Sequence, residues 1–105
     1  MKDISVIAEF PEVVGAVLSD PAGALLDAFG SVDAETAGAV HAYSVVALSQ
    51  AGELLGLGAF ERAAIAGPGA TCLLSVEGEA VLGVYVDPTK PLPALEKKLR
   101  DALHR

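Results

Sequence analysis

The side chains of this 105-residue chain that could do chemistry are few, and they are scattered. His41 and Tyr43 carry the largest polar tips in the middle of the chain, and His104 stands next to the last residue. A metal site wants ligands at close, repeated spacing, and neither His41 nor His104 has a second histidine near it. Cys72 sits inside an apolar run with Leu73 and Leu74, where a nucleophile would need a base and an electropositive setting; the run supplies neither, so a buried, inert thiol is expected. The carboxylates Asp20, Asp33, Glu35 and Asp87 fall at turns and helix starts, where they serve as caps and not as an acid–base pair. Gly56-Leu57-Gly58 and Gly67-Pro68-Gly69 lack the following Lys of a phosphate loop. No catalytic residue, cofactor or metal is therefore expected, and the chain reads as a non-enzyme.

Charge excludes further classes. The net charge is -7, and no Lys or Arg occurs between Lys2 and Arg62. A nucleic-acid surface needs clustered cations, and the only cluster is Lys97, Lys98, Arg100 and Arg105 near the end, suited to a helix C-terminus and a solvated face. One cysteine cannot form an internal disulfide, and the first residues do not form a secretion signal. No apolar run reaches the length of about 18 residues that a membrane helix needs. The expected location is cytoplasmic, without membrane insertion. The composition, 52% hydrophobic but only 5% aromatic, describes one domain over residues 1–105 with a core of Ala, Val and Leu.

These residues must be positioned by the elements that the pattern dictates. Residues 2–10 read as a short helix that puts Ile4, Ile7 and Ala8 on one side and stops at Pro11. Two strands, 13–19 and 24–29, flank Asp20-Pro21-Ala22-Gly23, a turn in which Pro sets φ early and Gly accepts positive φ late. Asp33 caps a long helix over 34–55, ended by Gly56-Leu57-Gly58. Strands follow over 60–66, 71–76 and 80–86. The last two are joined at Glu77-Gly78, both residues expected at positive φ. Residues 91–103 form a closing helix with Leu92, Leu95, Leu99, Ala102 and Leu103 on one face, and with Lys97 and Arg105 flanking Asp101 at i,i+4. The fold class is α+β: a five-stranded antiparallel sheet, the long helix on one face and the two terminal helices on the other.

The long helix is apolar almost all round. Ala37, Val40, Ser44, Ala47, Ala51 and Leu55 make one stripe, while Ala42, Val45, Leu48 and Ala39, Tyr43, Val46 nearly close the circle. Such a helix needs cover on a second side. Its small residues, Gly38, Ala39, Ala42, Ser49 and Gly52, would let a second copy approach closely about a two-fold axis. Gly38, Ala42, Val45 and Ser49 are thus candidate dimer contacts. His41 and Tyr43, with Val46 and Gln50 on the same helix, are candidate partner contacts, since aromatic residues are enriched at binding hot spots.

Two stretches, VVGAVLSDPAGALLDAFG and LSQAGELLGLGAFERAAIAGPGATCLLSVEGEAVLGVYVD, resemble the Roadblock/dynein light chain family in their order, spacing and glycine placement. The likeness runs from about Phe10 to the end; the brief first helix departs from it. The resemblance implies a homodimer in which the third strand of each copy, carrying Phe60, Arg62 and Ala64, pairs across the axis into a continuous sheet. It also implies a regulator or adaptor that binds a small Ras-like GTPase and modulates its nucleotide cycle or localisation. The alternative it leaves open is a dimeric scaffold or light-chain-like subunit without effect on GTP hydrolysis. A small-molecule sensor ranks lower, for want of a polar cavity lining. Arg62 is not expected to act as an arginine finger: beside Glu61 on an edge strand it suits a cross-axis ion pair or a solvated edge.

Overall fold

The computed structural model describes residues 3–89 and 91–104. Lys2 of the first expected helix, and Arg105 of the expected i,i+4 pair and basic cluster, lie outside the described residues.

Turn chemistry builds the sheet. β1 (Val13–Ser19) and β2 (Leu25–Gly30) form a hairpin. In its turn Gly23 N donates to Asp20 O at 2.9 Å, and Asp20 Oδ1 accepts from both Ala22 N and Ala24 N at 2.9 Å. Gly23 holds φ at 96°, a value that L residues rarely adopt. β4 (Thr71–Glu77) and β5 (Ala80–Val86) pair from Glu77↔Ala80, so the two-residue loop is Gly78-Glu79. Only Gly78 has positive φ, at 64°. This corrects the expectation that Glu77 shares it: with glycine first and a normal residue second, one positive φ suffices to match the twist of the strands.

With β3 (Arg62–Ala66) the strands order as β2-β1-β5-β4-β3, all neighbours antiparallel. The edges of the sheet are therefore β2 and β3. A bulge between Val13 and Gly15 breaks the alternation of β1 and leaves Val14 exposed.

The long helix α1 (Ala34–Leu54) lies on one face of the sheet. Asp33 caps it, accepting from Thr36 N at 3.4 Å and from the Thr36 hydroxyl at 3.0 Å. At its far end Leu57 N reaches back to Gly52 O at 2.9 Å while Gly56 turns left-handed at φ 75°. On the opposite face sit a 3-10 helix (Ile4–Ile7) and α2 (Leu92–Leu103). There Ile4 and Ile7 meet Leu95, Leu99, Ala102 and Leu103 over Ala16, Leu82, Val84 and Val86, which is the main core. Ala8, expected on the inner side, is exposed: the short helix is 3-10 and not α, so its side chains turn through a different period. Lys98 ties α2 to the start of the chain, with Glu12 at 2.7 Å and the Phe10 ring 5.4 Å below its ammonium. Lys97 pairs with Asp101 at 3.4 Å, as the spacing predicts.

Candidate functional site

The sheet side of α1 is narrow in volume, and that sets what can pack there. Gly38 approaches β1 so closely that a Cβ on it would stand 3.3 Å from Ser19 Cβ; the Ser19 hydroxyl donates to Gly38 O at 3.5 Å. One turn on, His41 lies on β5. A methyl group on Gly83 would overlap the imidazole, so the absence of a side chain there is what makes room for the ring.

His41 meets two further polar groups across the sheet. Its Nε2 shares a 2.6 Å hydrogen bond with Tyr85 Oη, and Cys72 Sγ lies 3.9 Å from the same nitrogen. Cys72 and Tyr85 are ladder partners on β4 and β5, which fixes them side by side beneath the helix. The other ring nitrogen, Nδ1, is buried without a hydrogen-bond partner. Burial lowers the pKa of His41, pushes the Cys72 thiol up to about 11 against a hydrogen bond from Tyr85, and pushes Tyr85 up to about 12, helped by Cys72. All three groups are thus held neutral. A thiol so far above neutral pH is a poor nucleophile even with a base beside it, so the cluster supports α1 and not chemistry. Among the described residues no group of three or more His, Cys, Asp or Glu could hold a metal ion.

The outer side of α1 is the opposite case. In all 21 residues the only carboxylates are Glu35 and Glu53, and no Lys or Arg occurs. Tyr43 is 77% exposed, and Val40 and Val46 are each more than half exposed. The apolar surface continues past the helix end through Leu54, 88% exposed, to Leu55 and Leu57. On the same face of the sheet, edge strand β3 carries Ile65, also more than half exposed and paired in register with Cys72.

The expected contact residues divide accordingly. Gly38, His41 and Ala42 are not outer contacts: they are buried against the chain's own sheet, because the glycine, the alanine and the Gly83 gap let the helix sit close on that side. Val45 and Ser49 are half-buried on the flank. Tyr43, Val46 and Gln50 are exposed on the outer face of α1; Arg62 and Ala64 of β3 are exposed too, but on the face of the sheet opposite α1. Phe60 precedes β3 and is half-buried. The meeting of His41, Cys72 and Tyr85, which come from three elements, is not written in any local run of residues. Its one visible sign was Gly83, an isolated glycine in an apolar strand, which marks a close approach.

No protein-family model matches the sequence, and no curated protein matches it. Solved structures do match. A Roadblock/LC7 domain from Streptomyces avermitilis is similar with a TM-score of 0.81 at 16% sequence identity, covering 94% of this chain and 86% of that one. MglB from Myxococcus xanthus gives 0.81 at 20% identity over 93% of this chain and 82% of its own. The gliding protein MglB from Thermus thermophilus gives 0.75 at 23% identity over 94% and 80%. Five antiparallel strands between a long helix on one face and a closing helix on the other, in an arrangement shared with these structures, give this chain the Roadblock/LC7 fold.

Proposed function

We propose that the chain is a homodimeric regulator or adaptor of a small Ras-like GTPase. The observation that carries the dimer is the uncovered outer face of α1, Val40, Tyr43, Val46 and Ala47 with Leu54 beyond, together with the open edge of the sheet at β3. Apolar surface of this kind on a small protein marks an interaction site. The β3 edge adds a second argument. Natural edge strands are guarded by Lys, Pro or bulges, and Arg-Ala-Ala-Ile-Ala has one charge at its start and nothing after it. A copy of the same strand about a two-fold axis would satisfy those backbone groups while the two α1 helices cover each other. Tyr43, Val46, Gln50, Val45, Ser49, Phe60, Arg62 and Ala64 are the contact residues of this reading.

The GTPase role rests on the likeness of fold and sequence pattern, and on the lack of catalytic machinery in the buried His41 cluster. Light scattering on the purified chain is the first test, with twice the monomer mass expected. A pull-down with purified small GTPases, loaded in turn with GDP and a non-hydrolysable GTP analogue, is the second. State-dependent retention supports a regulator, equal retention an adaptor, and no retention in either state removes the GTPase from the proposal. Arg62→Ala should leave any stimulation of hydrolysis largely intact, because the arginine is not assigned to the transferring phosphate.

A further inference from the structure

The two edges of the sheet are not equivalent. β3 keeps an unbroken register with β4, from Arg62↔Ser75 to Ala66↔Thr71. β2 keeps none such with β1: Leu18 pairs with Asp27 and Ser19 with Leu25, so Leu26 is an extra residue, a bulge in the edge strand. Leu25 and Leu26 are exposed, and β2 contains neither Lys nor Pro. Apart from Asp27, the side chains of this edge invite a further strand as readily as those of β3 do.

The backbone is what refuses it. An edge strand offers outward N–H and C=O groups at every second residue, and an added strand must match that spacing. Asp20 N donates to Ala24 O at 2.9 Å, which turns Ala24 toward β1 and Leu25 outward. Past the bulge the next outward residue is Ala28, whose N–H is held at 2.8 Å by the Asp27 carboxylate and not by β1. Gly30 then lies so close to Gly15 that a Cβ on it would overlap the Gly15 backbone, the close spacing of a pair whose amides point away from each other. The outward row thus runs Leu25, Ala28, Gly30, three residues and then two, and a straight strand cannot pair with both parts of it. Asp27 also withdraws the Ala28 donor and sets a negative charge where the carbonyl groups of an added strand would have to stand.

We propose that the Leu26 bulge and the Asp27 carboxylate close β2 to strand addition, so that copies of this chain join through β3 alone. A chain that paired at both edges would present a fresh edge with each copy added and grow into a filament, whereas pairing at one edge about a two-fold axis stops at two copies. The β3 half of this statement rests on the proposed dimer; the closure of β2 does not.

Deletion of Leu26 combined with Asp27→Thr tests it. Removing the extra residue leaves Phe29 opposite Ala16, and threonine suits a strand while freeing the Ala28 N–H. Light scattering over a concentration series reads the particle mass, and amide hydrogen exchange reads the edge. The weight-average mass of the repaired chain should at least double relative to wild type and keep rising with concentration, while exchange at Leu25, Ala28 and Gly30 slows. In the wild type, exchange at Leu25 and Gly30 should stay the same across the series, a measurement that stands even where the deletion variant fails to fold. A repaired chain with native circular dichroism and wild-type mass throughout would overturn the proposal. So would wild-type protection at Leu25 and Gly30 that rises with concentration, or growth of the repaired chain with new protection on an element other than β2. A monomeric wild type would remove the β3 dimer and leave this test intact, since the repaired edge should still pair two copies.

Discussion

His41 is the residue at which packing, polarity and pH meet. Its ring is neutral in the fold because burial opposes the charge, and Nδ1 has no partner to share a second proton. In the unfolded chain the ring titrates at its ordinary value of 6.5. Below that pH the unfolded state takes up a proton that the native state refuses, so stability falls as pH drops. The thiol and phenol act from the other side. Their raised values mean that the unfolded chain releases protons first, from about pH 9.0 for Cys72 and 10.0 for Tyr85, and stability falls again as pH rises. Urea unfolding across pH should therefore show this cluster contributing most between 6.5 and 9.0. In His41→Gln the part of the acid-side fall in stability that comes from His41 should vanish, so the gap between variant and wild type changes as pH drops below 6.5. A second substitution tests the packing. Gly83→Ala forces a methyl group into the ring, which should cost about 1–3 kcal/mol, as overpacking does. His41→Ala should relieve most of that cost, and a double-mutant cycle with additive effects would show that the ring and the glycine do not meet.

At the scale of elements, α1 is held by its ends and its close seat more than by amphipathicity. Its start depends on Asp33, the acceptor for the Thr36 backbone and hydroxyl. Asp33→Ala should lower stability by about 1 kcal/mol in chemical denaturation, and Asp33→Asn, which keeps an acceptor, should recover most of it. The cap was legible because capping is local: an acceptor side chain three residues before an orphan N–H is visible in the sequence. So were the hairpins at Asp20–Gly23 and Gly78-Glu79, although the loop at the second is shifted by one residue from the expected pair. The inward face of α1 was not legible. A helix with apolar residues at nearly every angle carries no phase information, and glycine, histidine and alanine turned out to be its buried side.

The whole molecule leaves its apolar excess on the outside. α2 is amphipathic, its leucines in the core and its charges in water, whereas α1 presents valine, tyrosine and leucine outward. If that face joins two copies, Val46→Glu should convert the particle to monomer mass in light scattering while far-ultraviolet circular dichroism stays unchanged, since Val46 makes no part of the chain's own core. Persistence of the dimer in that variant would move the interface off α1.

The element order, the Asp20–Gly23 turn, the cap of α1 and the inner face of α2 were legible in the residues alone, since each is written in contacts a few residues apart or in a clean helical period. Two things were decided only by tertiary structure: which side of α1 faces the sheet, and the meeting of His41, Cys72 and Tyr85. Each depends on how far one element overhangs another and how closely two backbones approach, quantities set when the layers pack together and not by any local run of residues.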